Sequence, residues 1–155
     1  MTMRYFQNAG KTYGYDVADQ VDLIDAALAS KWTEVTGSWP PAPTAAEQLQ
    51  ASAAALLAAP VSLTSTSTPA LNASYAIAAQ DQAHIAAELQ SLMLNGTFAD
   101  GSGTVAWPDA SGLIHTFSAA EFKAFATAIG AFVAAVYKVL NGTSTTLPSA
   151  SLTIA

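Results

Sequence analysis

The segment Gly96–Phe117, GTFADGSGTVAWPDASGLIHTF, and the residues that follow it constrain the fold of this chain more than any other feature. A Pro-Asp-Ala-Ser-Gly run separates two short segments of strand-like composition, and such runs are typical of a turn between paired strands. Ser118 then precedes Glu121 at the spacing of a capping box, and Phe117 and Phe122 occupy the two positions of a hydrophobic staple. The pattern predicts a β-hairpin that leads directly into a helix.

Two helices are expected to flank this hairpin. Ser74–Asn95 predicts the first, and large apolar residues at helical spacing after Ser118 predict the second. Both patterns end in Leu-Asn-Gly, a sequence suited to a helix C-terminus. We therefore expect a helix–β-hairpin–helix body over residues 71–142. The residues expected to pack together in its core are Phe122, Phe125, Phe132 and Val136 of the second helix and Ile85, Leu89 and Leu92 of the first.

The N-terminal residues 1–39 are expected to form a small head. Arg4–Gln7 and Lys11–Tyr15 are rich in aromatic residues, as strands are, and Asn8-Ala9-Gly10 between them has turn chemistry. Asp16 is expected to cap a helix that ends near Lys31, and Trp32–Val35 predicts a short third strand.

Residues 40–70 join the head to the body. The clustered prolines of residues 40–43 exclude a helix there, and the capping-box sequence at Thr44–Glu47 predicts a helix that continues to Ala59. Ser62–Thr68 is expected to be a polar linker, and residues 143–155 an extended tail. The fold class that these elements predict is α+β.

The charge composition excludes several classes of partner. Charged residues make up 10% of the chain, against roughly 25% in typical soluble domains. A surface with so few charged residues is more often covered by other proteins. The net charge is −6. No patch of basic residues could neutralise phosphates, so we expect no nucleic-acid binding. The basic residues are Arg4, Lys11, Lys31, Lys123 and Lys138.

The sequence also argues against a membrane or an exported protein. The most apolar run, Ala124–Leu140, is shorter than the roughly 20 residues that a spanning helix needs, so we expect no membrane insertion. The N-terminus lacks the apolar core of a signal peptide, which indicates folding in the cytoplasm. There is no cysteine, which excludes disulfides and thiolate chemistry.

No combination of residues predicts catalysis, a metal site or a cofactor. His84 is expected to be a solvated or core-edge residue and His115 a hydrogen-bonded structural residue. Asp100–Gly103 resembles part of a calcium loop but lacks the other ligand positions, so a polar turn is favoured. Trp107 is expected to pack in the core. For Trp39, packing and partner contact are equally consistent with the sequence.

Two stretches resemble bacteriophage proteins. The aromatic hairpin MRYFQNAGKTYGYD, followed by Pro40–Glu47 at the start of an Ala- and Gln-rich helix, resembles tail-fibre assembly proteins. Leu71–Val139, with its helix, GTFADGS…AWPDASGLIHTF and final helix, resembles an uncharacterised domain of phage and prophage tail proteins. The resemblance carries over no functional site.

This resemblance implies a non-enzymatic tail structural protein, in the tail tip, the baseplate or a fibre. The alternative is a tail-fibre assembly chaperone that binds the fibre end and need not stay in the virion. Either would be found in the host cytoplasm during assembly, would bind other tail or fibre proteins, and would form homo- or hetero-oligomers. The aromatic residues expected to bind a partner are Tyr5, Phe6, Tyr13, Tyr15 and Trp39.

Overall fold

The computed structural model describes residues 2–35 and 42–155 and has an α+β fold, which confirms the predicted class. The chain forms two compact units, Met1–Thr44 and Ala45–Ala155. Each unit has its own hydrophobic core.

The described residues of the first unit form a three-stranded antiparallel sheet and one helix. The strands are β1 (Met3–Asn8), β2 (Lys11–Asp16) and β3 (Thr33–Val35), in the order β2-β1-β3, and α1 spans Val21–Ala29. The predicted hairpin and third strand are confirmed. Ala9 and Gly10 both have positive φ, 47° and 78°, as a two-residue turn with the twist of a β-hairpin requires.

The predicted capping role of Asp16 is wrong. Asp16 ends β2, where it pairs with Met3, and its carboxylate accepts a hydrogen bond from the Ala18 amide at 2.9 Å. The helix begins later, at Val21, and the Gln20 side chain at its N-cap position makes no capping hydrogen bond. The strand register therefore keeps Asp16 in the sheet, and a short loop separates it from α1.

The second unit contains three helices and five strands. They are α2 (Ala45–Ala58), β4 (Val61–Ser65), β5 (Ala73–Tyr75), α3 (Ala79–Asn95), β6 (Thr104–Pro108), β7 (Ile114–Ser118), α4 (Ala119–Leu140) and β8 (Ser151–Ile154). A 3₁₀ turn at Pro69–Leu71 lies between β4 and β5. One sheet has the order β5-β4-β8, with β4 antiparallel to β5 and parallel to β8, and β6 and β7 form a separate hairpin. The predicted α2, the β6–β7 hairpin and α4 are confirmed.

Three sequence predictions for this unit are corrected. The expected linker Ser62–Thr68 contains most of β4, in which Val61, Leu63 and Ser65 are buried in alternation. The expected extended tail ends in β8, which pairs with β4 and buries Ile154. The helix expected over Ser74–Asn95 begins at Ala79, because the residues before it pair with β4 as β5.

The junction between β7 and α4 has the predicted local structure. Ser118 and Glu121 form a reciprocal capping box, and the rings of Phe117 and Phe122 lie 6.0 Å apart. All seven predicted core residues belong to one hydrophobic cluster, with Leu89 only half-buried. That cluster also contains Val61, Leu63, Tyr75 and Ile154 from the strands that the sequence did not predict.

The helix α4 is long and apolar enough to cross a membrane by length and composition, with 22 residues and a mean hydropathy of 1.5. It is longer than the run Ala124–Leu140 that the sequence suggested. The buried core helix of a soluble protein meets the same criterion, and seven residues of α4 are buried in the core of the second unit. The core accounts for these seven apolar residues of the helix.

Replacing Phe125, which is fully buried among the rings of Tyr75, Trp107, Phe117 and Phe122, should strongly destabilise the second unit. We expect Phe125→Ala to lower the free energy of unfolding by about 3–5 kcal/mol because it leaves a cavity. Urea denaturation measures this change. The control is Tyr137→Ala on the same helix, where the side chain is 50% exposed. A loss below about 1 kcal/mol for Phe125→Ala would contradict the described core.

Candidate functional site

Four of the five aromatic residues predicted to bind a partner lie on the N-terminal sheet, on opposite faces. Residues directly opposite each other in a sheet share a face. Phe6 pairs with Tyr13, and Tyr15 pairs with Arg4 two positions before Phe6, so the three aromatic side chains share one face. Tyr5 belongs to the other face. The structure therefore does not bring all of these residues together.

The helix α1 covers the face that carries Phe6. Phe6 is 0% exposed and forms the core of this unit with Ile24 and Ala27, because it lies on the central strand under the helix. Its predicted role as a partner anchor is wrong for the folded unit. Tyr15 packs against the same core, with its ring 6.0 Å from that of Phe6.

Tyr13 lies at the margin of the covered face. Its ring centroid is 4.9 Å from that of Trp32, and part of its side chain is exposed. Trp39, the fifth predicted anchor, lies outside the described residues. Within the described part of the first unit, Tyr13 is therefore partly exposed but packed on Trp32, and Tyr5 lies on the opposite face of the sheet.

The opposite face carries a cluster of Met3, Tyr5 and Val35, which we call the Tyr5 face. All three residues are half-buried, and Tyr5 pairs with Gly14 and Val35 on the neighbouring strands. A Cβ atom at Gly14 would lie 2.8 Å from Tyr5 Cε1 and 3.2 Å from Met3 Cε. Gly14 thus leaves the space into which the Tyr5 ring extends across the strand.

A bidentate ion pair links the central strand to β3. Arg4 Nε and Nη2 each donate a hydrogen bond of 2.7 Å to a different carboxylate oxygen of Glu34. The Arg4 guanidinium also lies 5.4 Å from the centre of the Phe6 ring. Hydrogen bonding to Arg4 lowers the pKa of Glu34. Because both side chains are about one-third exposed, the pair orients β3 more than it stabilises the unit.

The second unit contains a polar cluster at the turn between β6 and β7. Asp109 Oδ1 accepts hydrogen bonds from the Ser111 amide at 2.8 Å, the Ser111 hydroxyl at 2.6 Å and the Leu113 amide at 3.0 Å. Its Oδ2 lies 3.2 Å from His115 Nε2, and His115 Nδ1 donates to the Ala70 carbonyl at 2.7 Å. The side chains of Asp109 and His115 are both nearly buried.

The environment of this cluster shifts two pKa values. The Ser111 hydroxyl is the largest cause of a strongly lowered pKa for Asp109, and hydrogen bonds from His115 and two backbone amides add to it. Burial, with a smaller contribution from Asp109, raises the pKa of Tyr75 to about 12. Asp109 is thus held as a carboxylate and Tyr75 as a neutral phenol.

The geometry of the cluster is structural and does not resemble that of a nucleophilic enzyme. The Ser111 hydroxyl donates to Asp109 and not to His115, so this cluster lacks the pairing of a serine with a histidine base that nucleophilic catalysis requires. The carboxylate closes the turn, and His115 ties β7 to the 3₁₀ turn at Ala70. The prediction of a hydrogen-bonded structural His115 is confirmed. Sequence reasoning missed Asp109, although its place in a Pro-Asp-x-Ser-Gly run is a usual signal for an Asp that caps a turn.

The other candidate residues for chemistry are separated. His84 is exposed on α3, and among residues 2–35 and 42–155 no group of three histidine or acidic side chains could hold a metal ion. The ring of Trp107 lies 5.4 Å from that of Phe122, which confirms its packing in the core.

An apolar groove of about 260 Å³ runs between α3 and α4. Its main lining residues are Ile85 and Leu89 on one helix and Ile129 and Val133 on the other. Gly130 faces open space, since a Cβ atom there would meet no other atom within 4 Å. Its few polar groups give it little capacity to orient a small ligand.

Comparison with known proteins identifies one relationship. Residues 57–151 match a family described as a domain of unknown function, DUF4376. The match covers more than half of the chain and falls within the second unit. No curated protein and no solved structure matches the chain.

The lowered pKa of Asp109 predicts a specific loss of stability in acid. A carboxylate whose folded-state pKa lies below its ordinary value of 3.8 stabilises the fold above that value, and this contribution disappears as the pH falls toward the folded-state pKa. We expect Asp109→Asn to lower the free energy of unfolding at pH 7. The difference in this free energy between the variant and the unaltered protein should become smaller as the pH falls from 5 to 2.

Urea denaturation across this pH range measures the difference. The control is Asp81→Asn in the same unit, because no hydrogen bond to the Asp81 side chain is made by the described residues. A difference for Asp109→Asn that stays constant from pH 7 to pH 2 would contradict a stabilising carboxylate at this turn.

Proposed function

The chain belongs to the DUF4376 family, and we propose that it is a non-enzymatic structural component of a bacteriophage tail, in the tail tip, the baseplate or a fibre. The proposed partners are other tail or fibre proteins, with which it forms an oligomer. The proposed locations are the host cytoplasm during assembly and then the virion tail. The observation that carries this proposal is the amount of apolar surface that both units leave exposed.

Exposed apolar residues occur in adjacent pairs on the second unit. Met93 and Leu94 at the end of α3 are 70% and 73% exposed, and Leu113 and Ile114 beside the β6–β7 turn are similarly open. Single exposed apolar residues are normal, but several large ones on one small unit favour contact with another protein. Because only 10% of the residues are charged, the chain can make few specific contacts through charged side chains instead.

The first unit has the same character. Ile24 and Ala27 of α1 face the core, and Val21, Leu23 and Leu28 beside them are exposed. At 100° per residue these five residues form one continuous apolar arc around the helix. The sheet covers only the middle of this arc. The exposed residues at the two ends of the arc therefore favour contact with a partner.

Three polar residues of the second unit that could have served chemistry are used in its fold. Asp109 and His115 fix a turn, and Glu121 caps α4 while accepting a hydrogen bond from Thr68. This supports a role in binding. Cleavage of peptidoglycan or polysaccharide by the purified protein would overturn it.

Quantitative mass spectrometry of purified particles tests the proposed location, using a phage whose genome encodes this chain. We expect the chain at a fixed number of copies per particle, comparable to known tail proteins. Its presence in assembly lysates but absence from particles would favour the fibre-assembly chaperone. Its absence from both, in cells that express it, would overturn the tail assignment.

The first unit is the proposed docking element, and the two faces of its sheet provide a matched pair of variants. Tyr5→Ala removes the central ring of the Tyr5 face, and Tyr13→Ala removes a ring of the same size from the opposite face of the same hairpin. We expect Tyr5→Ala to weaken binding to the neighbouring fibre protein at least tenfold, as loss of an aromatic hot spot does. Tyr13→Ala should change it less than threefold.

Size-exclusion chromatography with light scattering, followed by calorimetric titration, measures the binding. Circular dichroism of both variants checks that the sheet remains folded. Equal losses of affinity for the two variants would show that the Tyr5 face has no special part in docking. No loss of affinity for either variant would show that the docking surface lies outside this sheet.

A further inference from the structure

The two edges of the β5-β4-β8 sheet differ in how they are covered. At the β5 edge, the Ala110 amide of the β6–β7 turn donates a 2.7 Å hydrogen bond to the Ser74 carbonyl. At the β8 edge, no other strand of the described chain pairs with Ser151–Ile154. The sheet therefore has one open edge, formed by β8.

The register shows which backbone groups of β8 face outward. The Ala150 and Ile154 carbonyls accept hydrogen bonds of 2.8 Å from Ser62 and 3.0 Å from Thr66, so they point toward β4 and its continuation. Backbone groups alternate in direction along a strand, so those of Ser151 and Thr153 point away. The Ser151 amide donates to Ser149 Oγ at 3.2 Å. The outward amide and carbonyl of Thr153 have no protein partner in the described part of the chain.

This edge lacks most of the usual protection against pairing with another strand. Exposed edge strands are usually very short or carry charged residues, prolines or bulges. The strand β8 is short, with four residues, but its sequence Ser-Leu-Thr-Ile contains no charged residue and no proline. By contrast, the edge strand β2 begins with Lys11 and ends with Asp16. The β8 edge is therefore suited to accept an additional strand.

A groove beside this edge has room for the side chains of such a strand. It measures about 470 Å³ and lies between α4 and the residues Thr153, Ile154 and Ala155. A strand added at about 4.8 Å from β8 would direct every second side chain toward α4. The residues of α4 that form the floor are small: Ala124, Thr127, Ala128 and Ala131. The floor therefore leaves space for medium-sized apolar side chains.

Lys123 gives the groove a positive charge. It lines the groove and makes no ion pair with any carboxylate among the described residues. In a chain with a net charge of −6, this isolated ammonium group favours an acidic residue on the incoming segment.

We propose that the β8 edge binds an extended segment of a partner protein as a fourth strand of this sheet. The segment would place alternate apolar side chains on the small-residue floor of α4 and an acidic side chain beside Lys123. A second copy of the chain fits less well, since residues 143–155, which include β8, contain no acidic residue to face Lys123. This inference goes beyond the proposed function and does not depend on a location in a phage tail.

The test uses synthetic peptides with the 155-residue chain. The probe is an eight-residue peptide in which valine and threonine alternate and one central valine is replaced by glutamate. A second peptide has lysine in place of that glutamate, and a third is N-methylated at alternate amides so that it cannot pair with an edge. Binding is followed by the ¹H–¹⁵N NMR signal of Thr153 and by calorimetric titration.

We expect the glutamate peptide to shift the Thr153 signal and to bind at least threefold more tightly than the lysine peptide. The N-methylated peptide should not bind. Lys123→Glu should reverse the preference between glutamate and lysine. Failure of the glutamate peptide to bind at millimolar concentration, or equal binding of the N-methylated peptide, would overturn the proposal.

Two substitutions at one position separate edge pairing from side-chain contact. Thr153→Pro removes the outward amide without breaking a hydrogen bond to β4, and proline is tolerated on an edge strand with its nitrogen outward. Thr153→Ala keeps the amide. We expect Thr153→Pro to abolish peptide binding and Thr153→Ala to retain it, with similar melting temperatures for the two variants.

Light scattering of the chain alone tests whether a second copy of the chain occupies the β8 edge. We expect no oligomer that depends on this edge. A dimer that Thr153→Pro dissociates would identify a second copy as the occupant and overturn the proposal of a partner segment. If Thr153→Pro fails to fold, the N-methylated peptide and Lys123→Glu still decide the question.

Discussion

The second unit depends on the junction at which β7 becomes α4. Ser118 is both the last residue of β7 and the N-cap of α4, so no loop separates the strand from the helix. Glu121 closes the capping box and also accepts a hydrogen bond from Thr68, which lies between β4 and the 3₁₀ turn. One carboxylate thereby holds the start of the core helix, the end of the hairpin and the chain that leaves the sheet.

This junction explains the arrangement of the aromatic core. With the strand leading directly into the helix, Phe117 of β7 and Phe125 of α4 come within 5.1 Å, ring centre to ring centre, and Tyr75 of β5 lies 5.1 Å from Phe125. His115 adds a second tie by donating to the Ala70 carbonyl. The hairpin, the sheet and α4 are therefore connected by buried aromatic contacts and by hydrogen bonds that leave no buried side-chain polar atom of the described residues without a partner.

The sequence predicted the elements whose signals are local. A capping box, a staple and a Pro-Asp-x-Ser-Gly turn each depend on fewer than about eight residues, so the hairpin and α4 could be recognised directly. The strands β4 and β8 could not. Their Ser- and Thr-rich composition resembles that of a linker. Their pairing joins Ser62 to Ser151, and these residues are too far apart in the sequence for a local pattern to indicate that they pair. Tyr75 was assigned to a helix for the same reason, since its strand is defined by its pairing with Val61.

For the candidate docking residues, too, the sequence alone predicted only part of the arrangement. Alternation along β1 indicates that Tyr5 and Phe6 face opposite ways, but it does not indicate which face α1 covers. That is decided by Ile24 and Ala27, which pack on Phe6 and leave Tyr5 on the other side. The surfaces that we propose for docking are the Tyr5 face and the open β8 edge. Both would bind through apolar contact and backbone hydrogen bonds, which salt weakens far less than it weakens ion pairs between exposed side chains. A chain with 10% charged residues would therefore recognise its partners mainly by shape and strand pairing, with Lys123 as the local exception at which ionic strength should matter.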